Sequence, residues 1–318
     1  MELNKYINYF VILIIFVAVG HYYHKYKYLI NTEEDNHYKI VEEYLINDSS
    51  LARSKKQILW IHVEREINAR WWENFGSRNS TRLNKPYQFL TIKNMIDKCG
   101  KCYNICLIDD DTFGRIIPGW SIDLNKTSDP IKSNLRELAK AKILFNYGGI
   151  FMPSSMIVLN DLHHLMGDKP IIGEFLNKSV TNISDMYEVN TRLLGCNKKD
   201  ETMKEYINFN EILISNDSTD ASEFLGNKNK WWKEKIAQDK VVKIDSQMLG
   251  ITSAEGVKIT IEDLINTKPI EFSNSAVAIY IPDDELTNRR KYEWFVRCSP
   301  KQVLESDTNI GKILVSTC

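Results

Sequence analysis

Two short segments of this chain carry side chains that could bind a metal ion or hold a reacting group. Asp109, Asp110 and Asp111 are consecutive, and carboxylate oxygens are the ligands that hard divalent cations prefer. The second segment, Pro153–Ser155, supplies two hydroxyl groups and no charge. Short acidic side chains are also typical of solvated turns, because they hydrogen-bond to nearby backbone. The triplet alone therefore leaves a metal site and a simple turn as alternatives.

Three cysteines form a second candidate metal cluster. Cys99 and Cys102 have the spacing of half a zinc site, and Cys106 could supply a third ligand. No other close Cys/Cys or Cys/His pair follows them. Cys106 also lies in an apolar run, where a small buried thiol is ordinary. We favour buried structural thiols over zinc or a disulfide.

The elements that must position these residues alternate between strands and helices. Short apolar runs predict buried strands, and apolar residues at helical spacing predict helices. The predicted strands are Gln57–Val63, Tyr103–Ile108 and Ile150–Leu159, the last interrupted by Pro153, and the predicted helices are Gln88–Lys98 and Asn134–Tyr147. Gly148 and Gly149 end the second helix, as glycine does beyond a helix C-terminus. This alternation predicts an α/β domain with a mainly parallel, Rossmann-type sheet flanked by helices.

Ligands of such sheets bind beyond the C-terminal ends of the strands. Asp109–Asp111 directly follow the second predicted strand, and Pro153–Ser155 interrupt the third. The predicted topology therefore places both segments near a candidate ligand site.

The composition is that of an ordinary globular protein. Of 318 residues, 43% are hydrophobic and 26% are charged, which matches typical usage. The net charge is −1 and the pI is about 6.6, so the chain lacks the overall basic character of nucleic-acid-binding proteins. We expect no nucleic-acid partner.

The N-terminal region predicts a membrane anchor. Tyr9–Val19 is an unbroken apolar or aromatic run, and its flanks extend it to residues 6–23, which approaches the roughly 20 residues that span a bilayer. Tyrosines at both ends suit the headgroup level. We expect a short tail (1–5), a single span in the lipid bilayer (6–23), a stem (24–56) and one domain (57–318). A cleaved signal peptide is the alternative, and nearly balanced flanking charges leave the orientation and the membrane undefined.

The segment Leu135–Phe151, with the sequence LRELAKAKILFNYGGIF, resembles the core of glycosyltransferases that carry a DXD sugar-binding motif, including capsular polysaccharide synthesis proteins. Their pattern is an Asp, an Arg three residues later, a helix ending in Tyr-Gly-Gly, and a strand leading into Asp-x-Asp. The resemblance covers roughly residues 57–215. The C-terminal part, including Arg290–Phe295, resembles degenerate relatives in large DNA viruses. It implies a GT-A-like fold that binds a nucleotide sugar and a glycan acceptor.

The chain departs from this pattern at the positions that would carry the chemistry. Glu137 stands at the family Asp, and Lys140 stands at the family Arg, where lysine cannot make the bidentate fork to phosphate. Pro153 and Ser155 replace both carboxylates of Asp-x-Asp, whose role in the family is to hold a divalent cation, usually manganese. The resemblance implies donor binding by Glu137, Lys140, Gly148, Gly149, Ser154 and Ser155. We expect no metal at Pro153–Ser155, with Asp109, Asp110 and Asp111 as the alternative metal site.

Two classes of function remain open. The first is a membrane-anchored glycosyltransferase that works without the usual metal motif. The second is an inactive pseudoglycosyltransferase that acts as a membrane-tethered binding or scaffold protein. A hydrolase using Ser154 with His163 or His164 is weaker, because the chain has no Gly-x-Ser-x-Gly nucleophile elbow.

Overall fold

Short apolar runs of the sequence build a central six-stranded sheet. In this computed structural model the strands are β1 (Gln57–His62), β2 (Tyr103–Ile108), β3 (Gly149–Pro153), β5 (Ile171–Leu176), β6 (Tyr187–Cys196) and β7 (Val242–Ile244). Their order across the sheet is β2-β1-β3-β6-β5-β7. A separate antiparallel pair consists of β4 (Met156–Val158) and β8 (Ala278–Tyr280). The structure describes residues 56–64, 85–177, 186–216 and 221–317.

The sheet is mixed and mainly parallel. β1 pairs in parallel with both β2 and β3, and β5 pairs in parallel with β7. β6 is antiparallel to β3 and to β5. The predicted α/β class with a mainly parallel sheet is confirmed, and the mixed sheet with its flanking helices is consistent with a GT-A-like fold.

Helices cover the sheet. They are α1 (Pro86–Cys99), α2 (Phe113–Ile116), α3 (Ile131–Tyr147), α4 (Glu201–Ser215), α5 (Ala221–Ala237), α6 (Ile261–Ile265), α7 (Asp283–Asn288), α8 (Glu293–Arg297), α9 (Pro300–Glu305) and α10 (Asn309–Thr317). The core lies between the sheet and α3, where Trp60 of β1 stacks on Phe151 of β3 with ring centroids 5.9 Å apart. Burial of such large apolar side chains provides the main driving force for this packing.

The element bounds agree closely with the sequence prediction, with one difference. β2 has the predicted bounds, and α3 begins three residues before the predicted Asn134. The predicted strand Ile150–Leu159 is instead two strands, β3 and β4, which belong to different sheets. Proline has no backbone N–H to donate to a sheet ladder, and β3 ends at Pro153. The break turns the chain from the central sheet to the smaller one.

The predicted anchor at 6–23 and nearly all of the stem at 24–56 lie outside the described residues. Among the residues that the structure describes, no helix combines the length and the apolar character needed to cross a bilayer. The boundary of the domain at residue 57 stays a prediction.

Candidate functional site

A cleft of about 230 Å³ opens where the C-terminal ends of β1 and β3 meet helix α7. This is the edge at which α/β sheets bind ligands. Its described walls mix basic, acidic, polar and apolar side chains: His62, Glu64, Lys85, Gln88, Lys140, Phe151, Met152, Pro153, Ser154, Ser155, Arg192, Tyr280, Asp283, Asp284, Thr287 and Asn288. A cleft with so many charged groups suits a polar, charged ligand better than an apolar one.

A buried ion network lies at the end of β1. Asp110 accepts hydrogen bonds from Arg136, with Nε at 3.0 Å and Nη2 at 2.6 Å. The Nε2 atom of His62 lies 2.9 Å from Asp110 Oδ1. Because an ionised carboxylate can only accept, His62 Nε2 carries the hydrogen. The imidazole also stacks on Phe113, with centroids 5.4 Å apart, so its orientation is fixed on two sides.

The network sets the charge states of its members. Burial alone would raise the pKa of Asp110, but hydrogen bonds from His62 and Arg136 outweigh burial and hold the pKa well below its usual range. Burial, together with the nearby Lys140 ammonium, lowers the pKa of His62 against the opposing effect of Asp110. At neutral pH the network therefore contains an ionised Asp110, a charged Arg136 and a neutral His62.

Lys140 lies on the cleft wall next to this network. Within the described part of the chain, its ammonium group has no hydrogen-bond or ion-pair partner. Burial lowers the pKa of Lys140, and the negative charges of Glu64 and Glu137 partly oppose that effect. A partly buried cation that the described carboxylates influence only from a distance is costly, and an anion binding directly in the cleft would relieve this cost.

The three aspartates of the acidic triplet do not converge. Asp109 caps its own turn by accepting from the backbone N–H of Thr112 at 3.0 Å, Asp110 belongs to the ion network, and Asp111 accepts from Asn125 Nδ2 at 3.1 Å. Across the described ranges, no group of three or more Asp, Glu, His or Cys side chains is arranged to hold a metal ion.

The segment Pro153–Ser155 lines the cleft at the end of β3. Its backbone is held in place, because the Ser154 carbonyl accepts from the Thr91 hydroxyl and the Ser155 carbonyl accepts from the backbone N–H of Ile281 at 2.9 Å. The position that resembles Asp-x-Asp therefore faces the cleft without any carboxylate. Neutral hydroxyls are poor ligands for manganese, so these residues do not fit a metal ion.

Glu137 lies away from the cleft residues. Its carboxylate accepts from Tyr206 OH at 2.7 Å, from the Thr191 hydroxyl and from the Lys228 ammonium. Burial would raise the pKa of Glu137, but Lys228 and these hydrogen bonds lower it. None of the three donors lines the cleft. The structure therefore separates the expected Glu137–Lys140 pair: Lys140 faces the cleft, and Glu137 joins α3 to α4, α5 and β6.

The resemblance placed Gly148 and Gly149 at the donor site, but they lie at the N-terminal end of β3, away from the cleft at its C-terminal end. Gly148 precedes β3, Gly149 begins it, and Pro153 ends it. At the usual strand rise, Gly149 and Pro153 are about 13 Å apart. Gly149 has φ of +104°, and a Cβ atom there would approach the Ile58 carbonyl oxygen to 2.1 Å. Their role in the described structure is to turn the chain from helix into strand.

The structure adds cleft residues that the sequence did not indicate. Asp283 accepts from Lys85, Tyr87 and Gln88, which all lie at the start of α1. The Arg192 guanidinium donates to Tyr280 OH at 2.7 Å and lies 3.4 Å from Asp284 Oδ2. These contacts bring α1, β6 and the C-terminal region to one cleft.

The other sequence candidates lie elsewhere. His164 belongs to the turn His163–Leu165, which is not among the cleft walls. Cys99 and Cys106 are buried free thiols, and burial raises the pKa of each to about 12. Neither group contributes to the cleft.

Comparison with known proteins gives only distant likenesses. No protein-family model matches the chain, and no characterised protein matches it in sequence. Among solved structures, it is similar to a glycosyltransferase involved in the glycosylation of the major capsid of PBCV-1, at 10% identity and a TM-score of 0.38, over 76% of this chain and 100% of that one. It is also similar to the glycosyltransferase GlyE of Streptococcus pneumoniae TIGR4, at 11% identity and a TM-score of 0.39. That match covers 82% of this chain and 63% of GlyE. Likeness at this level assigns neither an activity nor the role of any residue.

Proposed function

We propose that this chain binds a nucleoside diphosphate sugar in the cleft and transfers the sugar to a hydroxyl group of a glycan or protein acceptor. The observation that carries the proposal is the ammonium of Lys140 in the cleft wall, which has no direct hydrogen-bond or ion-pair partner in the described part of the chain. Ser154 and Ser155 line the same cleft, so three positions that resemble the donor site of glycosyltransferases share it.

The cations of the cleft would take the place of a metal ion. When a sugar is transferred, the bond between its anomeric carbon and the diphosphate oxygen breaks, and the electron pair leaves with the diphosphate. Lys140 and Arg192 can stabilise that negative charge, because preorganised charges in a partly desolvated site are effective there. Lysine acts as a point charge, whereas arginine adds a planar fork.

The acceptor hydroxyl must lose its proton as its oxygen bonds to the anomeric carbon. Glu64 and Asp284 both line the cleft, and their side chains are 41% and 37% exposed. Exposed carboxylates can receive this proton and release it to solvent. Burial would raise the pKa of Glu64, but the charges of Arg136 and Lys140 lower it, so Glu64 is ionised at neutral pH and able to accept.

A second candidate function has its own support. Asp110 and Glu137 are both engaged by buried cations, and Pro153–Ser155 carry no acid. These features favour an inactive relative that binds a nucleotide sugar without transferring it. In either case we propose that residues 6–23 hold the protein to a membrane, on the basis of the apolar run there.

The test is a binding and transfer experiment with the full-length chain in detergent. A panel of UDP-, GDP-, CDP- and TDP-hexoses would be titrated by calorimetry, and release of free nucleotide would be followed with and without a pool of glycan acceptors. Binding with acceptor-dependent nucleotide release supports the transferase. Binding without release supports the inactive relative, and absence of binding to every nucleotide sugar would refute both.

A further inference from the structure

The C-terminal helix α7 presents one hydrogen-bonding face to the cleft. Asp284, Thr287 and Asn288 all line it, and their spacing of three and four residues places them on the same side of a helix. Together they offer carboxylate, hydroxyl and amide groups. This region lies beyond the segment that resembles glycosyltransferases, so the resemblance assigns it no role.

The position of this face is fixed from two directions. Asp283 begins α7 and accepts from Lys85, Tyr87 and Gln88 of the opposite wall. On the other side, Arg192 lies near Asp284 and is itself held by Tyr280. The guanidinium carbon of Arg192 lies 5.7 Å from the Tyr280 ring centroid and 6.0 Å from that of Phe175. A wall held in this way is preorganised, which lowers the entropic cost of binding.

The charges of the two ends of the cleft differ. Lys140 supplies a positive charge beside β1 and β3 that has no direct hydrogen-bond or ion-pair partner among the described residues, whereas at α7 the carboxylates of Asp283 and Asp284 are paired with Lys85 and Arg192. A diphosphate would be attracted to Lys140, whereas each carboxylate at α7 is already paired with a cation, which leaves that end with little net charge. The α7 end instead suits a neutral polyol, whose hydroxyl groups both donate and accept hydrogen bonds. The apolar edges of Met152 and Pro153 can contact the C–H face of a sugar ring.

We infer that α7 is the wall of the cleft that binds the hydroxyl groups of a sugar ring through Asp284, Thr287 and Asn288. The inference rests on the proposed function only in requiring that a sugar enters the cleft. The ring could belong to the nucleotide sugar or to the acceptor, and both sources share this chemistry.

The test compares matched ligands on matched variants of the full-length chain. Calorimetry would measure the affinity of each variant for UDP, for GDP and for their hexose derivatives. The affinity for methyl hexosides would be measured separately. The test variant is Thr287→Val with Asn288→Ala, and Asp284→Asn is a second variant of nearly unchanged shape. Asn274→Ala, an exposed asparagine outside the cleft, is the control. Thermal melting confirms that each variant is folded.

The expected result for Thr287→Val with Asn288→Ala is a loss of about tenfold in affinity for the nucleotide hexose, equivalent to one or two hydrogen bonds, with affinity for the nucleoside diphosphate unchanged. Asp284→Asn should also lose hexose affinity, while its affinity for the nucleoside diphosphate stays the same or rises because Arg192 loses a paired negative charge. If the ring belongs to the acceptor, the methyl hexoside loses affinity instead, and the inference stands. If the unmodified chain binds hexosides at α7 but no nucleotide, the proposed function fails and the inference survives. Unchanged binding of every sugar in both folded variants, or no sugar binding by the unmodified chain, would overturn it.

Discussion

The Arg136 guanidinium donates to both oxygens of Asp110, from Nε to Oδ1 and Oδ2 at 3.0 Å and from Nη2 to Oδ2 at 2.6 Å. This contact joins the start of α3 to the turn after β2. It also engages one of the three carboxylates that the sequence offers as an alternative metal site. The side chains are largely buried, with 7% of Arg136 and 13% of Asp110 exposed, so the contact has consequences for stability.

Asp110→Asn should destabilise the fold by about 3 kcal/mol at pH 7, because the buried guanidinium of Arg136 loses its close bidentate counter-ion and keeps the longer contact with Glu64 at 3.6 Å. The free energy of unfolding would be measured by denaturant titration. Asp111→Asn is the control, because Asp111 is exposed and accepts from the exposed Asn125, and we expect a change within about 0.5 kcal/mol.

The same contact predicts a pH dependence. The pKa of Asp110 in the folded state lies below that of an unfolded aspartate, about 3.9. Its stabilisation is therefore fully present above the unfolded pKa and is lost as pH falls through the folded pKa. The difference in unfolding free energy between the unmodified chain and Asp110→Asn should shrink below about pH 4. A difference that stays constant from pH 6 to pH 3 contradicts this account.

Lys140→Met should weaken nucleoside diphosphate binding by about tenfold or more, because it removes a charged hydrogen-bond donor. The melting temperature should stay the same or rise, since a partly buried ammonium with no direct partner among the residues that the structure describes is replaced by an apolar chain of similar length. Lys142→Met on the same helix is the control, because Lys142 pairs with Glu211 at 2.7 Å and does not line the cleft. Equal affinity in the two variants would remove Lys140 from the binding site.

Local pattern was sufficient to predict much of the fold. The apolar run Tyr103–Ile108 predicts β2 with its observed bounds, and the apolar face before Gly148 predicts α3. Such signals lie within a few residues of each other in the chain. Pro153 marks a break in the third strand, but its local effect cannot show that β4 pairs with β8, more than a hundred residues later.

The cleft depends on contacts that no local pattern contains. Lys85 and Asp283 are 198 residues apart in the chain, and Arg192 and Asp284 are 92 apart. Glu137 and Lys140 share a helical neighbourhood by spacing, yet the partners of Glu137 come from α4, α5 and β6. Sequence spacing predicts that two side chains are neighbours, whereas only the tertiary structure determines which of them faces a ligand.

Removing residues 1–28 should release the protein from membranes. The basis is the apolar run Tyr9–Val19 with tyrosines at its flanks, which suits a single span. Full-length and truncated chains would be expressed in parallel, and membranes would be extracted with carbonate. A full-length chain recovered in the carbonate-soluble fraction contradicts the anchor, as does a mature N-terminus at His21, which would indicate a cleaved signal peptide.

Nucleotide-sugar binding should be insensitive to a chelator. A divalent ion usually stabilises the departing diphosphate, but Pro153–Ser155 provide no carboxylate, and Asp109, Asp110 and Asp111 face different partners. Calorimetry in EDTA and in manganese should give the same affinity within about twofold. Manganese-dependent binding that disappears in Asp110→Asn would instead reveal a relocated metal site.

Restoring acids at the end of β3 is the complementary experiment. Pro153→Asp with Ser155→Asp should give the cleft a measurable affinity for manganese, because two carboxylates would then face the space beside Lys140. Asn274→Asp with Ser316→Asp adds the same charge at exposed positions outside the cleft and is the control for nonspecific attraction. Manganese binding gained in the first variant and not in the second would show that the β3 end has kept the geometry of a donor site after losing its acids. If a folded first variant gains no affinity, the end of β3 does not present these positions to a common ligand.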